Sequence, residues 1–351
     1  MKIGITADLH LKSKNETPER YNALEKIIHH LKNENIRDLI IAGDLFDKEF
    51  NNYSDFENIC RNNSNINFYI IRGNHDIDLK SSSFSSPNIK VFDEITSQKF
   101  DNLDFLFLPY QPTDTMDKIL ISYYKNNFIS DKWVLISHGD YLNINKSIDE
   151  YEKGYYMPLS NNIINDLRPS IVFLGHIHKS NNNDIVYYPG SPYPLDINET
   201  GKRKFIIYDT NYNKPEYIYL DLDKIFMIEE LLIIPTNTEI DNAINKLNEK
   251  INNWNLTTNE IERVILRLIL KGFTNDKNAL VQRINHYLDD KKIKLYDKNA
   301  PLDNNLNIVK DPNREFIMKR TLDKIENLTE NFNYSEKNDI IEQALNLIFN
   351  D

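Results

Sequence analysis

The sequence predicts an α/β fold over residues 2–222, followed by a small α/β cap and a helical tail. In the first part, short apolar runs rich in β-branched and aromatic residues alternate with stretches of helical periodicity. Most of these runs end in a polar cluster. Strands that alternate with helices in this way favour a sheet built with helical crossovers.

Ten runs in the first part have the length and composition of strands. They are residues 2–7, 38–43, 68–73, 89–92, 104–109, 133–138, 170–175, 185–188, 204–209 and 216–222. The last runs follow each other without helical stretches, which predicts added antiparallel pairing.

Helical patterns separate several of these strands. Thr17 can cap a helix whose first turn holds Pro18 and whose apolar stripe includes Tyr21, Leu24, Ile28 and Leu31. Further helices are predicted at residues 54–62, 114–126 and 158–167.

The pattern changes after about residue 222, so the predicted domains are 1–222, 223–312 and 313–351. Helices at 237–254 and 275–289 flank a strand at 262–272, with which residues 293–297 could pair. Two more helices, at about 313–330 and 335–349, form the predicted tail.

The composition is that of a globular protein with a formal charge of −11. This charge counts against a broad basic surface for nucleic acid, but carboxylates that hold divalent cations also appear as negative charge. Cys60 is the only cysteine, which excludes an intramolecular disulfide and a thiolate cluster. The first residues lack the pattern of a secretion signal and no apolar run could span a bilayer, so a cytoplasmic location is expected.

Polar residues of a few types collect where the predicted strands end. Five of the eight histidines and four of the nine glycines lie at these positions. Functional groups gather at the carboxyl ends of parallel strands, which predicts one site. Its members are Asp8, His10, Asp44, Asn74, His75, His138, His176 and His178.

Each motif alone has an ordinary structural explanation. Asp8-x-His10 could be a polar turn, Asp44 and Asn74 could bond their own backbone, and His138 could be a core histidine. His176-x-His178 is more specific, because alternate residues of an extended segment project to one face. Together, at one edge of a sheet, they favour a common site.

The ligand types in this set suit two cations. Carboxylate, amide and imidazole groups without sulfur favour Mn²⁺, Fe²⁺ or Zn²⁺. Asp44 could bridge two ions, which would activate water for attack on a phosphorus atom. His75 follows Asn74 directly and is the candidate to contact the phosphate and to donate a proton to the leaving oxygen.

The motifs D-x-H, GD-x-x-D, GNHD, H and GHIH, in this order, resemble the calcineurin-like metallophosphoesterase superfamily over about residues 1–222. The resemblance implies a four-layer α/β/β/α sandwich with a dinuclear centre, with Mn²⁺ expected and Mg²⁺, Fe²⁺ or Zn²⁺ as alternatives. It assigns Asp8, His10, Asp44 and His178 to one metal and Asp44, Asn74, His138 and His176 to the other. It makes His75 the catalytic histidine.

Three features narrow the resemblance, one of which is the predicted α/β cap and helical tail, an architecture shared with SbcD-type nucleases. GDLFD (43–47) lacks the arginine that follows this block in Ser/Thr protein phosphatases. Residues 185–210, which include PGSP, are similar to the segment after the last metal motif in SbcD-type double-strand-break nucleases, including bacteriophage versions. Some members carry histidine at the position of Asp47 and others aspartate, so Asp47 is given no role.

The SbcD-type resemblance implies a DNA nuclease of recombination and repair. It implies 3′→5′ exonuclease activity on duplex ends, endonuclease activity on single strands or hairpins, a homodimer and, if phage-encoded, the host cytoplasm. It also implies an SMC-like, coiled-coil ATPase partner of the SbcC type. A nucleotide or small-molecule phosphodiesterase or phosphatase is the alternative.

A stripe on the last predicted helix bears on that partner. The stripe could dock the ATPase or pack on its own cap, and the sequence leaves both open. Its members are Ile340, Ile341, Ala344, Leu345 and Ile348.

Overall fold

A computed structural model describes residues 1–127, 130–142, 155–297, 305–329 and 332–349. The chain forms two compact units. Unit one comprises Met1–Leu195 and Lys202–Leu222, and unit two comprises Asp196–Gly201 and Asp223–Asp351. Among the described residues, each helix is too short or too polar to cross a lipid bilayer.

Unit one begins with strands and helices that alternate and ends in five consecutive strands. In chain order its elements are β1 (Lys2–Thr6), α1 (Pro18–Asn33), β2 (Asp38–Ala42), α2 (Ser54–Asn62), β3 (Asn67–Ile71), β4 (Ile89–Phe92), β5 (Thr96–Phe100), β6 (Leu103–Phe107), α3 (Met116–Asn126), β7 (Trp133–His138), α4 (Asn161–Leu167), β8 (Ile171–Gly175), β9 (Asn181–Asn183), β10 (Val186–Tyr188), β11 (Lys204–Asp209) and β12 (Lys214–Tyr219).

These strands form two six-stranded sheets. The first has the order β12-β11-β1-β2-β3-β4, in which β1 to β4 are parallel and β11 and β12 are antiparallel. The second has the order β5-β6-β7-β8-β10-β9, with antiparallel pairing at both edges. The antiparallel pairing predicted for the last strands is therefore present at β11 and β12.

The contacts among buried side chains show that the two sheets and the helices outside them form four layers. Ile5 and Ile40 of the first sheet share an apolar cluster with Phe107 and Phe173 of the second. Helices α1 and α2 pack on the outer face of the first sheet, and α3 and α4 pack on the outer face of the second. The predicted α/β/β/α sandwich is confirmed.

The prediction that Thr17 caps α1 through its side chain is wrong. The helix begins at Pro18, but the Thr17 hydroxyl makes no capping bond to it. Thr17 Oγ1 instead accepts a hydrogen bond from the Lys12 backbone N at 3.2 Å. The hydroxyl therefore fixes the loop that follows β1.

Unit two is a second, smaller α/β assembly. Its elements are β13 (Ile225–Ile233), α5 (Glu239–Asn253), α6 (Thr258–Ile261), β14 (Val264–Thr274), α7 (Lys277–Asp290), β15 (Lys294–Leu295), β16 (Asn305–Ile308), α8 (Glu315–Leu328) and α9 (Tyr334–Phe349). Strand β14 pairs in parallel with β13, β15 and β16. Helices α5 and α7 share an apolar cluster with β13 and β14.

The stripe on α9 packs inside unit two. Ile341 and Leu345 are buried in a cluster with Leu232, Phe273 and Met318. The other members of the stripe pack against the same cluster. Of the two alternatives for this stripe, the structure shows packing on the unit's own sheet.

Candidate metal centre

The eight site residues predicted from the sequence all lie in unit one, at the ends of five strands. Asp8 and His10 follow β1, Asp44 follows β2, and Asn74 and His75 follow β3. His138 ends β7, and His176 and His178 follow β8. Both sheets therefore contribute side chains to one place.

Glycines let these strand ends approach closely. A Cβ added to Gly175 would lie 2.0 Å from the Ala42 carbonyl oxygen, and one added to Gly73 would lie 2.1 Å from Asp44 Oδ1. Such distances are far inside van der Waals contact, so larger residues would push the two backbones apart. Gly175 therefore lets the two sheets approach each other at the site, and Gly73 lets the ends of β2 and β3 approach within the first sheet.

Four of the candidate ligands adopt a left-handed backbone. Asp8, His10, Asp44 and His176 have φ angles of 55°, 47°, 48° and 98°. Each such residue costs on the order of 1–3 kcal/mol and is held only by its surroundings. Here two backbone hydrogen bonds join the loop after β1 to the loop after β2. Asp8 N donates to the Gly43 oxygen (3.1 Å), and His10 N donates to the Asp44 oxygen (3.0 Å).

The side chains form two ligand groups that share Asp44. In the first group, His10 Nε2 lies 3.1 Å from His178 Nε2, and atoms of Asp8, His10 and His178 lie within 4.8 Å of one another. Asp44 Oδ2 lies 3.7 Å from His10 Nε2.

The second ligand group consists of Asn74, His138 and His176. Asn74 Oδ1 lies 2.8 Å from His138 Nε2 and 3.2 Å from His176 Nδ1. Asp44 Oδ2 lies 3.3 Å from His138 Nε2. The carboxylate of Asp44 therefore stands between the two groups.

The donor set fits divalent cations. Two donors that are each about 2.1 Å from one ion stand about 3 Å apart, which is close to the His10–His178 distance in the first group and to the two Asn74 distances in the second. The buried Asp8 Oδ2 accepts no hydrogen bond from any described residue, and a buried carboxylate oxygen without a partner is costly. A bound cation would satisfy it. His138 Nδ1 donates to the Ala42 carbonyl at 2.9 Å, which directs Nε2 towards the ligand group.

Burial and crowded carboxylates shift the ionisation of these groups. Burial raises the pKa of Asp8 to about 6 and lowers the pKa of His10 to about 3. Burial also opposes the charged forms of Asp44 and His138, but their mutual attraction prevails. It holds the pKa of Asp44 well below its usual range and raises the pKa of His138 to about 9. The Asp44 anion therefore favours a positive charge beside it, and burial keeps His10 in the neutral form that binds a metal ion.

Metal binding is expected to release protons from this site. In the metal-free protein His138 keeps its proton up to about pH 9, whereas a metal ligand must be neutral imidazole. The affinity for Mn²⁺ should therefore rise as the pH increases towards about 9. Calorimetric titration at pH 7 in two buffers of different ionisation enthalpy measures the release. Equal heats in both buffers would contradict it.

His75 lies at the solvent side of the ligand groups. Its side chain is 26% exposed, whereas those of His138 and Asp44 are almost fully buried. His75 Nδ1 faces Asp47 Oδ1 at 3.7 Å, and its backbone N donates to Asp44 Oδ1 at 2.8 Å. This position suits an imidazole that meets a phosphate arriving from solvent.

The distances alone also permit His75 as a ligand. One donor atom each from His10, Asp44 and His75 lie within 4.8 Å of one another. His178 is partly buried, as His75 is, so the metal content of a variant without His75 distinguishes the two roles.

Asp47 received no role from the sequence, but the structure places it beside His75. Lys12 Nζ and Arg20 Nη1 lie 3.5 Å and 3.6 Å from Asp47 Oδ2. Although partial burial of Asp47 opposes its ionisation, the contact with His75, the hydrogen bond from the Lys48 backbone N and the charge of Lys12 hold its pKa well below its usual range. Asp47 is therefore an anion that can orient the imidazole of His75.

Two further residues of the site were missed from the sequence. The Asp76 carboxylate accepts hydrogen bonds from the backbone N atoms of Gly73 (2.6 Å) and Leu45 (2.9 Å), which ties the loops after β2 and β3 together. The buried Arg203 guanidinium donates to the carbonyl oxygens of His178 and Ser191. Asp76 is the last residue of the GNHD motif, so the sequence could have indicated a role for it. Arg203 lies in a KRK run that matches no motif of the site.

Two bound divalent cations would supply activation of water and neutralisation of phosphate charge. The chain's own groups then position the cations, hold the ligand imidazoles in one orientation and offer the His75 imidazole at the solvent edge. This arrangement is suited to hydrolysis of a phosphate ester.

This chain is similar to several proteins of solved structure. An archaeal phosphodiesterase is 20% identical, with 63% of this chain and 100% of that chain covered and a TM-score of 0.34. TT1561 of Thermus thermophilus is 13% identical (62% and 98% covered, TM-score 0.42). A dimetal phosphatase from Danio rerio is 11% identical (59% and 91% covered, TM-score 0.33).

The sequence itself was compared with curated proteins and with family models. No curated protein matches it. The model of the calcineurin-like phosphoesterases matches residues 1–180, just over half of the chain. This chain therefore belongs to the calcineurin-like phosphoesterase family, whose members hydrolyse phosphate esters at dimetal centres.

Proposed function

We propose that this protein is a metal-dependent DNA nuclease of the SbcD type. The observation that carries the proposal is the segment 185–210, whose sequence resembles those nucleases and which is built against the metal centre. Ser191 N donates to the His178 oxygen at 3.0 Å, and Arg203 from the same segment donates to that oxygen as well. The segment thus supports a candidate metal ligand directly.

The exposure of the site also supports a polymeric substrate. His75 and Asp47 are about one-quarter exposed, beside ligand groups of which Asn74 and His178 are also partly exposed. An exposed edge can receive a phosphodiester inside a long chain, in a duplex end or in a single-stranded loop. The proposed reactions are 3′→5′ removal of nucleotides from duplex ends and cleavage of single strands or hairpins.

We further propose a coiled-coil ATPase of the SbcC type as the partner. Its docking surface would lie on α8 and α9 of unit two, but not on the α9 stripe, which is packed internally. Large apolar side chains are solvent-exposed on these helices, namely Phe316 (68%), Leu328 (79%) and Leu347 (80%). Apolar helical surfaces of this kind suit helix-to-helix recognition. The homodimer is likewise a proposal from the family resemblance.

End-labelled DNA tests the nuclease proposal. The purified chain with Mn²⁺ should release labelled nucleotides from a 3′-labelled duplex, and the ATPase partner should increase the rate. His75→Ala loaded with the same metal is the matched control and should leave the label intact. Intact DNA together with rapid cleavage of bis-p-nitrophenyl phosphate would refute the proposal and favour the small-molecule phosphodiesterase, which the −11 charge also suits.

A further inference from the structure

We propose that Asp140 is a positioning residue that holds the His176 imidazole towards the second ligand group. The inference rests on metal binding by this family and does not depend on DNA being the substrate. Asp140 follows the β7 end in the run His138-Gly139-Asp140. Neither the motifs nor the family resemblance gives it a role.

The two nitrogens of His176 face different partners. Nδ1 lies 3.2 Å from Asn74 Oδ1, inside the second ligand group. Nε2 lies on the other side of the ring, 3.7 Å from Asp140 Oδ1. If Nδ1 binds a cation, Nε2 must carry the hydrogen, because a neutral imidazole has one donor and one acceptor nitrogen.

A carboxylate beside that Nε2–H has a known physical effect. Ligand histidines usually direct their second nitrogen at a carboxylate or carbonyl, which fixes the tautomer and the ring orientation and makes the ligand more basic. At 3.7 Å the contact exceeds hydrogen-bond length, so the attraction in this geometry is coulombic. Both side chains are at least 96% buried, where such an attraction is screened little.

The backbone around Asp140 holds its carboxylate in place. Asp140 Oδ2 accepts a hydrogen bond from Tyr156 N at 2.7 Å, and Asp140 N donates to the Tyr156 oxygen at 2.9 Å. The ring of Tyr156 packs on His176 with 4.8 Å between centroids. One carboxylate oxygen therefore anchors the side chain, and the other faces the imidazole.

A buried carboxylate needs compensation for its lost hydration. The hydrogen bond from Tyr156 N supplies part of it. A metal-bound imidazole, which is more positive than a free one, would supply more at Oδ1. The charge of Asp140 is therefore expected to matter most when the second ligand group holds its ion.

The test is Asp140→Asn in the full chain, with Mn²⁺ alone as the probe. Asparagine keeps the shape and can still accept the bond from Tyr156 N, but it removes the charge. Calorimetric titration should show one of two Mn²⁺ sites weakened by about 10–100-fold and the other unchanged. The melting temperature of the metal-free variant should stay near that of the wild type.

Asp117→Asn is the matched control. Asp117 also lies in unit one and accepts a backbone hydrogen bond, from Ser160 N to its Oδ1 at 2.9 Å, but it belongs to neither ligand group. This variant should bind Mn²⁺ as the wild type does. Asp140→Glu, which restores the charge, should recover affinity relative to Asp140→Asn.

Three outcomes would overturn the proposal. The first is wild-type affinity at both sites in Asp140→Asn. The second is a loss of metal-free stability that accounts for the whole change in affinity, which would make Asp140 merely structural. The third is equal weakening in Asp140→Asn and Asp140→Glu, because charge would then be irrelevant. None of these results depends on which phosphate ester the enzyme hydrolyses.

Discussion

Replacing His75 with alanine is expected to slow the proposed hydrolysis of DNA by about 10²–10⁴-fold, the usual contribution of a positioned proton donor. His75 lies at the solvent edge of the ligand groups, and its Nδ1 faces Asp47 at 3.7 Å. Its loss removes the imidazole that would protonate the leaving oxygen. Steady-state rates with Mn²⁺, at a concentration that saturates both sites, measure the effect.

Substrates with different leaving groups test whether His75 acts as the proton donor. A nitrophenolate departs without a proton, whereas the alkoxide of a nucleotide needs one. The loss in His75→Ala should therefore be much smaller with bis-p-nitrophenyl phosphate than with DNA. His286→Ala is the matched control, because that side chain is 69% exposed on α7 and belongs to unit two.

Metal content decides between the two roles that distance permits for His75. A proton donor can be removed while two equivalents of Mn²⁺ still bind. If His75→Ala binds only one equivalent, His75 is a ligand and its assignment as proton donor is wrong.

The sequence predicted the α/β sheet and the grouping of the site because two strong signals coincide in it, whereas the four-layer sandwich was implied by the family resemblance. Strands such as β2 and β8 are fully buried apolar runs, and the residues that follow them are chemically distinctive. The parallel pairing of β1, β2 and β3 then brings their carboxyl ends together. Asp44 and Asn74 could therefore be placed near each other without coordinates.

The strands that were missed lack these signals. Strand β9 reads Asn-Asn-Asn and β5 reads Thr-Ser-Gln-Lys-Phe. They are edge strands whose pairing with β10 and β6 comes from the tertiary fold and not from their own propensity. Strand β13 contains Glu229 and Glu230 in an apolar run, and a run that carries charges does not read as a core strand.

Tertiary partners explain those charges. Glu229 accepts hydrogen bonds from Trp254 Nε1 (2.7 Å) and Lys250 Nζ (2.9 Å), and Glu230 pairs with Lys271 at 2.8 Å. Asp140 and Arg203 at the metal centre were not predicted from the sequence, because their roles also depend on tertiary partners. Their roles depend on which backbone or imidazole they face, and residue type and spacing along the chain do not reveal that.

Asp44→Asn is expected to weaken Mn²⁺ binding at both sites, by more than the roughly 100-fold that losing a ligand's supporting partner can cost. Asp44 Oδ2 lies 3.7 Å from His10 Nε2 in the first ligand group and 3.3 Å from His138 Nε2 in the second. It is therefore the carboxylate that faces both groups. Asparagine keeps an oxygen for the hydrogen bond from His75 N, so the loop after β3 should stay in place while the charge is lost.

His178→Ala separates a shared ligand from an unshared one. His178 groups with Asp8 and His10 and is not within the second ligand group, so its loss should weaken one site and leave the other near its wild-type affinity. Calorimetric titration of the two variants side by side gives the comparison. If Asp44→Asn and His178→Ala weaken the same single site, Asp44 does not bridge, and the two ions would be held by independent ligand sets. In that case one complete metal site would remain in Asp44→Asn, and this variant should hydrolyse its substrate faster than it would if both sites were weakened.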